Sequence, residues 1–233
     1  KYVSLPRDAA QGRTNRSEVI AVYTYNPVTS FDENDALQRF GKLKVEATSF
    51  TISEPVDTLE VSAMLYDLAT EEQKKVLETV YEIKPFSIQT ITLERIFIDK
   101  LFAAEAYVRN SEINHRAFEA AKHIYDIAVI ADHPKICALL ADKDRMGQLL
   151  EIRMTEERER LDGIPGICPI DFIFFTQTGD NEAVQKAYAT MQNQYVLRDC
   201  DRIDFESAAK ALTEIQQRLL ENTAWTDCKN QME

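Results

Sequence analysis

Lys100 and Asp126 are the residues of this chain whose types and spacing suggest joint chemistry. A lysine ammonium neutralises a phosphate oxygen. An aspartate can orient that lysine or take a proton from an attacking hydroxyl. Lys100 lies in TLERIFIDKLFAAEAYVR. On a wheel at about 100° per residue, Glu94, Arg95, Asp99, Glu105 and Arg109 share one arc, and Lys100 falls opposite, near Leu93, Ala104 and Tyr107. The pattern therefore sets one lysine on the face expected to be buried. A buried ammonium is costly unless it snorkels, pairs with a carboxylate or meets an anion, and all three stay open.

The other candidates are weaker. Asp126 shares a stripe with Glu119 and Lys122, with His123 at its margin; as an i,i+4 neighbour of Lys122 it also fits an ordinary solvated pair. Glu46 stands mid-strand between Lys44 and Thr48, where a carboxylate can hold a divalent metal or simply face water. Arg13 and Arg16 lie in RDAAQGRTNR, read as an exposed loop whose arginines could also grip phosphate. His115, His123 and His133 form no metal-ligand spacing. Cys137, Cys168, Cys200 and Cys228 lie far apart without CxxC, and read as reduced thiols.

The elements that must position these residues change character along the chain. SEVIAVYTYN (residues 17–26), LKVEATSFTIS (43–53) and YEIKPFSIQTI (81–91) have strand character. Thr70 is an expected N-cap for the helical second half of the stretch between the last two; the first half is ambiguous. From Thr92 the pattern is helical: 92–109, 114–131 stopping before Pro134, 143–161, 181–197, and 204–222 capped by Asp204. Residues 162–169 form a turn-rich break. Strands followed by helices predict an α+β fold, a mixed sheet then a helical region. The expected domains are residues 1–110 and 111–233.

Composition sets outer bounds. The chain has 233 residues, and its net charge of −12 disfavours loose binding to nucleic acid or anionic lipid. No apolar run approaches the roughly 18 residues of a membrane span. No secretory leader is visible, and the cytoplasm is the expected compartment. Neither GxGxxG nor GxxxxGK[ST] occurs.

KVEATSF, an extended segment ending at Ile91, TLERIFIDKLFAAEAY and AAKHIYDIAVI follow one another in this order. The series resembles the AbiEii/AbiGii toxin family, polymerase-β-like nucleotidyltransferases of type IV toxin–antitoxin and abortive-infection systems. That family shows a helix motif of the form TLxEKLxAL and, tens of residues later, RDxYDLxxL. Thr92, Leu93, Lys100, Leu101 and Ala103 follow the first; Lys122, Tyr125, Asp126, Ile127 and Ile130 follow the second. Lys stands where the family has Arg, and His123 replaces the first Asp. The resemblance covers residues 43–133.

The resemblance implies nucleotide transfer from an NTP to an acceptor, an RNA end among the candidates, with Mg²⁺ and a cognate antitoxin as partners. It implies that Lys100 neutralises a phosphate, that Asp126 orients it or acts as base, and that Glu46 is a metal-side carboxylate. The family also uses a Gly-Ser turn and a DxD strand. Gly-Ser does not occur here, and DxD occurs at Asp142–Asp144 and Asp199–Asp201, in helical or loop context late in the chain. Because residue 1 is lysine, an upstream segment carrying both motifs is expected. The alternative is a non-enzymatic helical interaction protein or a regulatory nucleotide sensor.

Overall fold

A computed structural model describes residues 10–14, 18–24, 42–48, 54–111, 116–159, 168–196 and 198–227. The architecture is α+β with a mostly helical C-terminal region. The strands pair in two small antiparallel sheets. Two compact units divide the chain: residues 53–96, and residues 1–52 with 97–233.

The first sheet orders β1 (Ala10–Thr14), β2 (Glu18–Thr24) and β3 (Lys42–Thr48). Over residues 10–14, β1 corrects the loop reading: Gln11–Arg13 pair across to Val22–Ile20, so a β-branched neighbour draws a polar segment into the ladder. The register sets Arg13 and Glu46 on either side of Ile20.

In the unit of residues 53–96, β4 (Val56–Val61) pairs with β5 (Phe86–Ile91), with Val56 opposite Ile91 and Val61 opposite Phe86. Between them lie α1 (Met64–Asp67) and α2 (Glu71–Val80). The expected cap at Thr70 is a full capping box with Gln73, satisfying two otherwise orphaned N–H groups. Pro85 precedes β5 directly, where a missing donor is harmless. Leu77 alone is buried between residues 54 and 91.

The helical body begins with α3 (Leu93–Val108), where Thr92 Oγ1 accepts from Arg95 N at 3.3 Å. Next come α4 (Arg116–Ile130), α5 (Pro134–Ala141) and α6 (Lys143–Glu159). α5 was not anticipated. Pro134 ends the preceding pattern, but it also occupies the first turn of a new helix capped by the His133 side chain. A 3₁₀ turn at Pro169–Asp171 leads to α7 (Phe174–Gln177), α8 (Glu182–Tyr195), α9 (Phe205–Glu221) and α10 (Thr223–Thr226). α4 packs on α8 and α9, and α10 on α6 and α9. Trp225 is buried in edge-on contact with Phe172 at 5.6 Å, and Phe172 meets Phe102 at 5.0 Å.

Candidate functional site

The buried side of α3 is not the one its wheel suggests. Phe97, Ile98, Leu101, Phe102 and Val108 are buried together with Arg95 at 0% and Glu105 at 1% exposure, so the buried face takes in two residues of the supposed polar arc, while Arg109 of that arc is exposed. Lys100 is partly exposed, its side chain 29% open to solvent. The error has a physical cause. Polar residues on the arc are interleaved with the largest apolar ones, and Glu105 finds partners inside. Its carboxylate accepts from Ile173 N at 2.9 Å and Phe174 N at 3.0 Å, and pairs with Arg109 at 2.5 Å. Burial pushes the Glu105 carboxyl up, against the pull of the Phe174 N–H and Arg109.

Lys100 and Asp126 do come together. Lys100 Nζ donates to Asp126 Oδ2 at 2.6 Å, and Asp126 is 40% exposed. Of the two readings its spacing allowed, the i,i+4 pair with Lys122 does not form. Lys122 pairs instead with Glu119 one turn back, at 2.9 Å, and sits 4.9 Å from the centre of the Tyr195 ring. Asp126 is engaged by Lys100, which leaves the longer Glu119 side chain as the partner of Lys122.

His123 lies beside this pair. Its ring stacks on Tyr107 at 5.4 Å and 19°, and Arg116 covers Tyr107 at 5.1 Å. Burial, then Lys100 and Lys122, hold the imidazole down at about 3, so it is neutral. Tyr125, one residue before Asp126, donates to the Asp201 carbonyl at 2.8 Å and fixes that stretch of α4 against the 3₁₀ turn Asp199–Asp201.

Glu46 is exposed on β3. Arg13 lies in β1, and Arg16 falls outside the described residues. Asp142 caps α6, bonding the Asp144 and Arg145 amides at 3.0 Å, while Asp201 is held by Arg198. Both DxD pairs thus serve local structure. Among the described residues no group of three His, Cys, Asp or Glu side chains could hold a metal ion. The donor set for Mg²⁺ is therefore not assembled by these residues.

A second charged cluster escaped the sequence reading. Arg153 of α6 reaches Asp99 of α3 at 3.4 Å, Glu156 at 3.7 Å, and Glu157, while its guanidinium lies 5.1 Å from the Phe102 ring. The i,i+3 and i,i+4 spacing of Arg153, Glu156 and Glu157 was visible, but nothing in it distinguishes a buried knot from a solvated one. Cys168 is disulfide-bonded, whereas Cys137 and Cys200 are free. This corrects the all-reduced reading: separation along the chain says little about separation in space.

No match was found among curated proteins or among solved structures. The family model described as nucleotidyl transferase AbiEii toxin, type IV TA system, matches residues 6–212. That span takes in the strand of Glu46, the helix of Lys100 and the helix of Asp126, and the chain belongs to this family.

Proposed function

We propose that this chain acts in nucleotide transfer from an NTP to an acceptor hydroxyl, with pyrophosphate leaving. The acceptor oxygen bonds to the α-phosphorus, the bond to the bridging oxygen of pyrophosphate breaks, and the hydroxyl proton passes to a base. Lys100 donates to a phosphate oxygen and offsets its charge. Asp126 orients that ammonium or, beside the acceptor, takes the proton. The carrying observation is the 2.6 Å pair between Lys100 and Asp126, half open to solvent so that an anion can reach it.

Family membership supports the reading. The acceptor is proposed to be an RNA end, and an antitoxin the partner that restrains the activity. Glu46 with a divalent ion, and phosphate contacts from Arg13 and Arg16, belong to the same proposal, as does a division of labour between residues 1–110 and 111–233. Mg²⁺ would supply charge neutralisation on the phosphates. No step is assigned to it on the residues described.

The test is incubation of the protein with each α-labelled NTP, Mg²⁺ and total RNA. Label transfer that Lys100→Ala abolishes is the expected result. Transfer and nucleotide binding that survive Lys100→Ala unchanged would sink the lysine assignment. Binding without transfer would move the reading to nucleotide sensing.

A further inference from the structure

Arg116 opens α4 with a guanidinium that no described residue neutralises. Its Nε is buried without a hydrogen-bond partner, and the group rests against the Tyr107 ring, 5.1 Å from its centre. Glu119, one turn on, stands at the right spacing to pair with it, but that carboxylate is taken by Lys122 at 2.9 Å. By contrast, Arg109, Arg153, Arg198 and Arg202 each meet a carboxylate. In a chain of net charge −12, a braced guanidinium with no counter-charge among the described residues is suited to an anion from outside.

Its place says which anion. Arg116 and His123 are seven residues apart on α4, about 10.5 Å along the axis. They lie 5.1 and 5.4 Å from the centre of the Tyr107 ring, which is therefore sandwiched between them. The row runs on past His123 to Asp126, which holds Lys100 at 2.6 Å. Asp126 follows Arg116 by ten residues, about 15 Å along the helix. A triphosphate reacting at Lys100 does not extend that far, and the Tyr107 and His123 rings stand between. Successive phosphodiesters of a strand whose end reacts there do extend that far.

We infer that Arg116 grips a backbone phosphate of a single-stranded nucleic acid whose end lies at the Lys100–Asp126 pair. The guanidinium is half-buried, so its outer N–H groups can donate side by side to two phosphate oxygens. Tyr107 is the positioning residue, holding that fork against α3. Such a contact carries no base preference, so the grip is indifferent to sequence. The inference deepens the nucleotide-transfer reading and takes from it that the strand end is the acceptor.

The test reads binding without turnover. The whole chain is titrated into a fluorescein-labelled oligoribonucleotide of about 12 nucleotides over a series of salt concentrations, and each NTP is titrated separately. Arg116→Gln is expected to weaken the oligonucleotide about tenfold, as loss of a charged hydrogen bond does. It is also expected to lower the slope of log K against log salt by about 0.7, one phosphate's share on a single strand. Arg116→Lys is expected to keep the slope and recover part of the affinity, since the charge stays and the planar fork is lost. NTP affinity is expected to hold in both variants, and circular dichroism checks their fold. A purely structural Arg116 would leave the salt slope alone. Wild-type protein that ignores the oligonucleotide, or an Arg116→Gln slope equal to wild type, overturns the inference. So does an Arg116→Lys slope as low as that of Arg116→Gln, or a loss of NTP affinity, since the guanidinium then belongs to the nucleotide. A chain that transfers no label yet shows the Arg116-dependent slope sinks the transfer reading and supports this one.

Discussion

The Lys100–Asp126 contact is half solvated, and water weakens it. Pairs of that exposure contribute about 1 kcal/mol or less to stability. Lys100→Ala and Asp126→Asn should therefore leave the urea midpoint nearly unchanged. Both should lower nucleotide transfer by about 100-fold or more, as loss of a transition-state donor does. A large stability loss with no change in transfer would make the pair purely architectural. His123 gives a separate prediction. Its folded value of about 3 lies below the ordinary 6.5, so the unfolded chain binds the proton first. The stability it contributes is complete above pH 6.5 and drains away as pH falls toward 3. Tyr107, Lys100 and Lys122 are the groups that face it. His123→Gln should flatten the fall in stability between pH 6.5 and 4.5 measured by urea unfolding; an unchanged slope would mean that the imidazole is solvated.

At the scale of elements, Glu105 holds the start of α7 to α3 through two backbone N–H groups. Glu105→Ala removes a carboxylate buried at 1% and strands both donors and Arg109, at a cost of about 3 kcal/mol or more. Glu105→Gln keeps one acceptor oxygen and should recover part of the loss; denaturant midpoints decide. Arg153→Ala should cost a similar amount, because the guanidinium lies among Asp99, Glu156 and Glu157. What could be read from the sequence at this scale follows from locality. Caps at Thr70, Thr92 and Asp204 are decided within a few residues, and each forms as expected. β2, β3 and the long helices announce themselves by period. β1 did not, because its strand state depends on β2. α5 did not, because proline both ends and begins helices. The buried side of α3 was misassigned because a wheel weighs residue type, while burial also rewards a satisfied charge. The approach of Lys100 to Asp126 was legible through the order of motifs, not through amphipathicity.

For the whole molecule, burial is uneven. Phe172, Phe174, Phe175 and Trp225 are packed inside, whereas residues 54–91 bury Leu77 alone. The two units should not unfold together. Hydrogen exchange should be fast through α1, α2 and the β4–β5 hairpin under conditions where Trp225, the one tryptophan, keeps its native emission. Coincident transitions by far-ultraviolet dichroism and tryptophan fluorescence would contradict this. The covalent link at Cys168 has its own consequence for handling the protein. Alkylation of the denatured chain without reductant should label fewer than four sites, and prior reduction should raise the tally. Material purified in dithiothreitol and material purified in air are then two chemically different samples, and assays of one do not stand in for assays of the other.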